Sequence, residues 1–171
     1  ISEICLGTAG FGAPTEDAEA HRMLDLYVDR GGNFVDTADI YSVWDENSWA
    51  GRSEEMIGTW LAATGKRHQI VLATKARSAM GDLPNDQGLS RRHLMDAVEA
   101  SLRRLQTDFI DLYQTHSMDT DTPIEESMRA LDDMVCQGKV RYVGCSNYSA
   151  WRLCQALWAS DRVGVARYEC L

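Results

Sequence analysis

Two periodicities alternate along the chain. Short apolar, β-branched runs occur at "EICLG" (Glu3–Gly7), "NFVDT" (Asn33–Thr37), "IVLATKA" (Ile70–Ala76), "DFIDLYQTH" (Asp108–His116), "VRYVGCS" (Val140–Ser146) and "VGVARYECL" (Val163–Leu171). Their length and content predict strands. Between them, apolar residues recur at helical spacing. Residues 16–30 put Met23, Leu24, Tyr27 and Val28 on one face. Residues 53–64 open on Ser53, Glu54 and Glu55 and stop before Gly65. Residues 90–105 carry Leu94, Val98, Leu102 and Leu105, with Glu99 and Arg103 as an i,i+4 ion pair. Residues 123–137 open on "TPIE", which predicts Thr122 as N-cap, Pro123 in the first helical position and Glu125 closing a capping box. Gly138 follows as a stop, and a further helix begins near Ser149.

The pattern predicts six strands alternating with five helices. Strands joined through single helices pair in parallel with right-handed crossovers. Several runs are apolar almost throughout, as strands buried on both faces are. The fold class is α/β, either a barrel or a doubly wound sheet. "GTAGFG" (Gly7–Gly12) is not the dinucleotide fingerprint G-x-G-x-x-G, and no helix starts directly behind it. That argues against a Rossmann sheet. No linker or repeat divides the chain, so residues 1–171 read as one domain.

Composition narrows the function. The chain is 44% hydrophobic and 25% charged, ordinary for a globular protein, and its net charge of −9 argues against a nucleic-acid partner. No apolar run is long enough to span a membrane, and the first ten residues do not read as a signal peptide. The five cysteines (Cys5, Cys136, Cys145, Cys154, Cys170) are odd in number and lack C-x-x-C spacing. They read as reduced thiols of a cytoplasmic protein, not as disulfides or a zinc site.

Polar residues collect at the C-terminal ends of the runs. Asp36 follows "FV", Lys75 ends "VLATK", His116 ends "DLYQTH", and Ser146 with Asn147 ends "VGCSN". Each alone has a structural explanation: a turn cap, a lysine reaching water, a satisfied core histidine. Four strands delivering them to one rim is more specific, because that face carries the active site of a (β/α)8 TIM barrel.

These segments resemble the aldo-keto reductase family. The resemblance runs through "GGNFVDTADIY", "SEEMIGTWL", "VLATK", "DFIDLYQTH" and "GKVRYVGCSNYS", in that order, over nearly the whole chain. The loop Ser42–Gly51 and "PNDQGLSRRH" look most like bacterial members, near the group that includes potassium-channel β-subunits. The resemblance implies a TIM barrel and NADPH-dependent reduction of an aldehyde or ketone, with no metal. It implies Tyr41 as general acid, with Asp36, Lys75 and His116 completing the catalytic set. Ser146, Asn147 and Asp36 would contact the cofactor, and His116 would orient the substrate. A free phenol, with a pKa of about 10, is a poor acid at neutral pH. An adjacent ammonium stabilises the phenolate left behind. Trp44 and Trp49, just past Tyr41, would form an aromatic wall for the substrate. Cys145 would only fill core space.

A complete barrel of this kind takes roughly 250 residues. The resemblance therefore implies an incomplete barrel, with the last two strands and most of the cofactor's phosphate grip beyond Leu171. It also implies an open apolar edge on the sixth strand that invites self-association. Two other readings compete. One is a cofactor-binding fragment or regulatory subunit without turnover. The other is a Schiff-base lyase acting through Lys75, in which Tyr41 and Ser146–Asn147 have no role.

Overall fold

A computed structural model describes all residues from Ile1 to Leu171. Its elements run β1 (Leu6–Gly7), α1 (Asp17–Asp29), β2 (Phe34–Asp36), α2 (Arg52–Thr64), β3 (Val71–Ala76), α3 (Arg91–Leu105), β4 (Ile110–Thr115), α4 (Ile124–Cys136), β5 (Val140–Cys145) and α5 (Ala150–Val163). One parallel sheet holds the five strands in the order β1-β2-β3-β4-β5. That order decides between the two architectures. A doubly wound sheet reverses its strand order at a switch point. Here every strand adds on the same side of its predecessor, so right-handed crossovers put every helix on one face. The result is an incomplete (β/α) barrel-like arc.

Each strand therefore shows one face to the helices and one to the would-be lumen. On the helix side, Val35 is level with Leu72, and Thr74 with Tyr113 and Val143. Val35, Leu72, Tyr113 and Val143 join a buried cluster of 31 residues that includes Leu24, Ile57, Trp60, Leu94, Leu131 and Met134. On the lumen side, Asp36, Ala73, Leu112 and Tyr142 form one level row, and Lys75, Gln114 and Gly144 the next. Such rows are how a barrel interior is layered.

α2 and α3 approach closely because Gly58 has no side chain. A Cβ there would lie 2.0 Å from the Arg104 carbonyl oxygen. The same contact buries charge. Glu54 is fully buried; it accepts hydrogen bonds from Thr74 Oγ1 (2.6 Å) and Arg104 Nε (2.7 Å). No helix is long and apolar enough to cross a membrane.

Several local expectations need correction. There are five ladder strands, not six: Val163 ends α5, and Gly164, with φ of 71°, turns the chain. Residues 165–170 then run beside β5 through Glu169 N–H to Val143 O (2.8 Å) and Cys145 N–H to Cys170 O (3.1 Å), with only one bridge, Val143 to Tyr168. α4 starts at Ile124 with Pro123 at its N-cap, and no side chain caps it. Thr122 donates instead to Asp119 (2.8 Å), and Glu125 pairs with Arg162. α2 starts after Gly51, while the Ser53 hydroxyl turns inward to Thr8 and Thr37. Glu99 pairs with Lys139 across the chain and not with Arg103. Met23 is exposed, while Ala20 and Leu24 form the buried face of α1. Buried groups decide two of these cases: Asp119 and the Ser53 hydroxyl, both withdrawn from water, take the partners that satisfy them.

Replacing Arg104 with Met strands the Glu54 carboxylate. The expected loss is ~3–5 kcal/mol, the cost of breaking a buried ion pair from one side. Urea unfolding of Arg104→Met measures it. A double variant that also replaces Glu54 with Leu is expected to recover most of the loss. A loss under ~1 kcal/mol would assign the pair no more than a surface value.

Candidate active site

Three neighbouring strands build the centre of the rim. Asp36 closes β2, Lys75 lies one residue from the end of β3, and Gln114 stands level with Lys75 on β4. Lys75 is only 6% exposed. It donates to Asp36 Oδ2 (2.6 Å), Thr37 O (2.9 Å) and Tyr41 Oη (3.2 Å). Three acceptors match the three N–H bonds of an ammonium. Asp36 is completed by Gln114 Nε2, which donates to Oδ1 at 3.2 Å.

Tyr41 sits on the loop after β2, which Ser42 anchors. Ser42 is fully buried, adopts a left-handed φ of 85°, and donates its hydroxyl to the Phe11 carbonyl. The Tyr41 ring meets His116 edge-on at 5.8 Å between centroids, and Trp44 at 5.9 Å, tilted by 60°. Because Tyr41 Oη accepts from Lys75, its own proton is free to point elsewhere.

His116 follows β4 and is held by its backbone. Its N–H donates to Ala76 O (3.0 Å), and its carbonyl accepts from Asn147 Nδ2 (2.8 Å). Nδ1 is buried without a partner, which leaves Nε2 as the accessible nitrogen. Burial, and secondarily the Lys75 charge, hold the imidazole pKa below its usual value, with Asp36 opposing. Ser146 N–H donates to Thr115 O (2.8 Å), and Asn147 takes a left-handed φ of 57°, its amide also bonding Ser146 Oγ (3.0 Å). The Asn147 amide oxygen and the Ser146 hydroxyl proton remain unengaged, a donor and an acceptor suited to a carboxamide.

Asp36, Tyr41, Trp44, Lys75, His116, Ser146 and Asn147 thus meet on one rim. Trp49 does not reach Tyr41: Arg52 lies over its ring at 5.1 Å, and its indole N–H donates to Glu55 (3.1 Å). Gln114 was missed by sequence reasoning. The signal was available, since Gln114 lies two residues before His116 on one strand and so shares its face. The anchoring role of Ser42 left no such signal. All five cysteines are free. Burial, then Cys170, pushes the Cys145 thiol up to about 12; burial, then Asp36, pushes Cys5 up to about 11, with Lys75 opposing.

With this geometry in hand, the comparisons with known proteins identify the chain. The family model described as "Aldo/keto reductase family" matches residues 3–170. Similar proteins include an uncharacterized oxidoreductase, YrpG, of Bacillus subtilis, 44% identical over 91% of this chain and 48% of its own length. A norsolorinic acid reductase of Aspergillus flavus is 38% identical over 88% of this chain and 40% of its own length. A probable voltage-gated potassium channel subunit beta of Arabidopsis thaliana is 38% identical over 90% of this chain and 44% of its own length. The chain belongs to the aldo/keto reductase family and spans just under half the length of these relatives.

Behind the rim, Asp39 is fully buried, and neither carboxyl oxygen completes a hydrogen bond. Burial, then the Glu54 charge, raises its pKa well above the usual carboxylate range; Arg104, the Ile40 N–H and Lys75 oppose. A raised carboxyl pKa means the folded state holds a proton that the unfolded state releases. Its contribution to stability is present below the unfolded pKa of about 4 and lost as pH climbs toward the folded value. Asp39→Asn is therefore expected to melt above the wild type at pH 8, with the gap closing by pH 4.5. Calorimetry at the two pH values checks this; a gap independent of pH would refute it.

Proposed function

We propose that this rim carries the proton-transfer machinery of an NADP(H)-dependent carbonyl reductase acting on an aldehyde or ketone. The observation that carries the reading is the saturated Lys75 ammonium: its third N–H goes to Tyr41 Oη, so the phenol proton points away from Lys75. A substrate oxygen within reach of Tyr41 and His116 would take its proton from Tyr41, as a general acid. Lys75 would stabilise the phenolate oxygen that remains. Asp36 and Gln114 hold Lys75 in place. The neutral His116 ring would donate through Nε2 to the substrate oxygen and orient it. Trp44 would wall the substrate on the open side of Tyr41. Ser146 and Asn147 fit the carboxamide of a nicotinamide ring, which supplies the hydride when bound. NADPH is preferred over NADH on family resemblance alone. Free thiols and reductive chemistry suit a cytoplasmic setting.

The saturated ammonium weighs against a Schiff-base lyase. A lysine paired with a carboxylate and bonded to three acceptors is not a free amine nucleophile. A second reading, cofactor binding without turnover, draws on the relative named as a channel subunit.

Two measurements test the proposal. NADPH titration read by tryptophan fluorescence is expected to show saturable quenching. Tyr41→Phe is expected to keep that quenching within about twofold while lowering aldehyde reduction by roughly 10²–10⁴-fold, the usual worth of a positioned general acid. Undiminished turnover in Tyr41→Phe would remove Tyr41 from the mechanism. NADPH binding with no consumption across a panel of aldehydes and ketones would favour the non-catalytic reading.

A further inference from the structure

Arg77 is a half-buried cation that forms no ion pair. Its Nε is buried without a hydrogen-bond partner. In a chain with 26 acidic and 17 basic side chains, a cation half withdrawn from water would ordinarily have found a carboxylate. Its backbone is also unusual. The φ of 158° is rarely adopted by a residue with a side chain, and the turn is pinned by Gly88 N–H donating to the Arg77 carbonyl at 2.8 Å. Strain of this kind concentrates at functional sites.

The place of Arg77 connects it to the rim. It is the first residue after β3 and stands two positions beyond Lys75. Two residues of extended chain put its Cα about 7 Å from that of Lys75. It lines a groove of about 300 Å³ between the β3–α3 and β4–α4 loops, whose other walls include Gln87, Ser90, Asp119, Asp121 and Thr122. Ser90 caps α3 and Thr122 immediately precedes the N-cap of α4, so the positive ends of two helix dipoles border the groove. Asp119 does not answer Arg77. Its oxygens already accept from Leu89 N–H (2.7 Å), Asp121 N–H (2.9 Å), Thr122 N–H (3.4 Å) and Thr122 Oγ1 (2.8 Å). Asp121 is exposed and unpaired with Arg77.

We propose that Arg77 and this groove form a subsite for an anionic group, a carboxylate or a phosphate, carried by the substrate at the end remote from its carbonyl. A guanidinium fork bonds either group in bidentate fashion. This deepens the reductase reading and rests on it for the word substrate; the anion site itself does not need turnover.

The first test is binding. Inorganic phosphate, glutarate and the neutral pentane-1,5-diol are titrated into the protein while the Arg77 Nε–H resonance is followed. Saturable shifts are expected with at least one anion and none with the diol, and the stronger anion names the group. Arg77→Gln is expected to weaken binding of that anion, read by calorimetry, at least ~10-fold, the worth of a charge-assisted pair. Arg77→Lys keeps the charge, should fold if the Gln variant does not, and is expected to retain binding a few-fold weaker. Asp121→Asn removes the opposing charge and is expected to tighten it. No saturable shift with either anion, or unchanged affinity in a folded Arg77→Gln, overturns the proposal. The second test is kinetic, with NADPH and the pair 5-oxopentanoate and pentanal, or a hydroxyaldehyde phosphate and its unphosphorylated form. A lower KM for the charged partner that disappears in Arg77→Gln supports the subsite, and equal KM values overturn it. Anion binding at Arg77 with no reduction of any carbonyl would uphold the site and remove only the reductase reading.

Discussion

Removing the Lys75 ammonium from water is the cost around which the rim is organised. A charge on a residue left 6% exposed is tolerable only when a counter-charge and enough acceptors surround it. Asp36 provides the counter-charge, Thr37 a carbonyl and Tyr41 a phenol oxygen, all from β2 and the loop behind it. Gln114, on the strand across from β2, closes the remaining oxygen of Asp36. Three parallel strands in level register make that convergence possible, because their C-terminal ends deliver side chains to the same height. The phenol of Tyr41 is oriented as a by-product of satisfying the lysine.

The adjacent residue explains why this site can be rigid. Thr74 and Lys75 are neighbours in β3 and so face opposite sides of the sheet. Lys75 points to the lumen, while Thr74 donates to Glu54 under the helices. Glu54 in turn ties α2 to α3 through Arg104, at the contact where Gly58 lets the helices touch. One strand thus anchors the helix layer with one side chain and the rim with the next. Asp39, wedged beside this network without full hydrogen bonds, is its least satisfied member.

Apolar runs and glycine stops were reliable guides to the central elements. The strands at Val71–Ala76, Ile110–Thr115 and Val140–Cys145 fall inside the predicted runs, and the glycine stops at Gly65 and Gly138 end their helices with left-handed backbone. Local pairing rules failed where another group competed. Thr122 reads as a capping residue, yet the Asp119 carboxylate takes its hydroxyl proton and three backbone N–H groups besides. Glu99 reads as a partner for Arg103, yet Lys139 reaches it from the start of the next strand. The final run reads as a strand, yet only one bridge holds Tyr168 to β5, because Val163 and Gly164 are spent on ending α5.

The sequence by itself determined the α/β class, the parallel pairing, and the set of strand-end residues Asp36, Lys75, His116, Ser146 and Asn147, since these follow from period, connection length and position within a run. The tertiary structure decided what no local pattern contains. It chose a singly wound arc over a doubly wound sheet through the strand order, matched three acceptors to one ammonium, drew Trp44 and not Trp49 to Tyr41, and left Arg77 unpaired between two loops. Each of these depends on which groups meet across dozens of residues, and a buried polar group takes its partner from whatever the packed elements bring within reach.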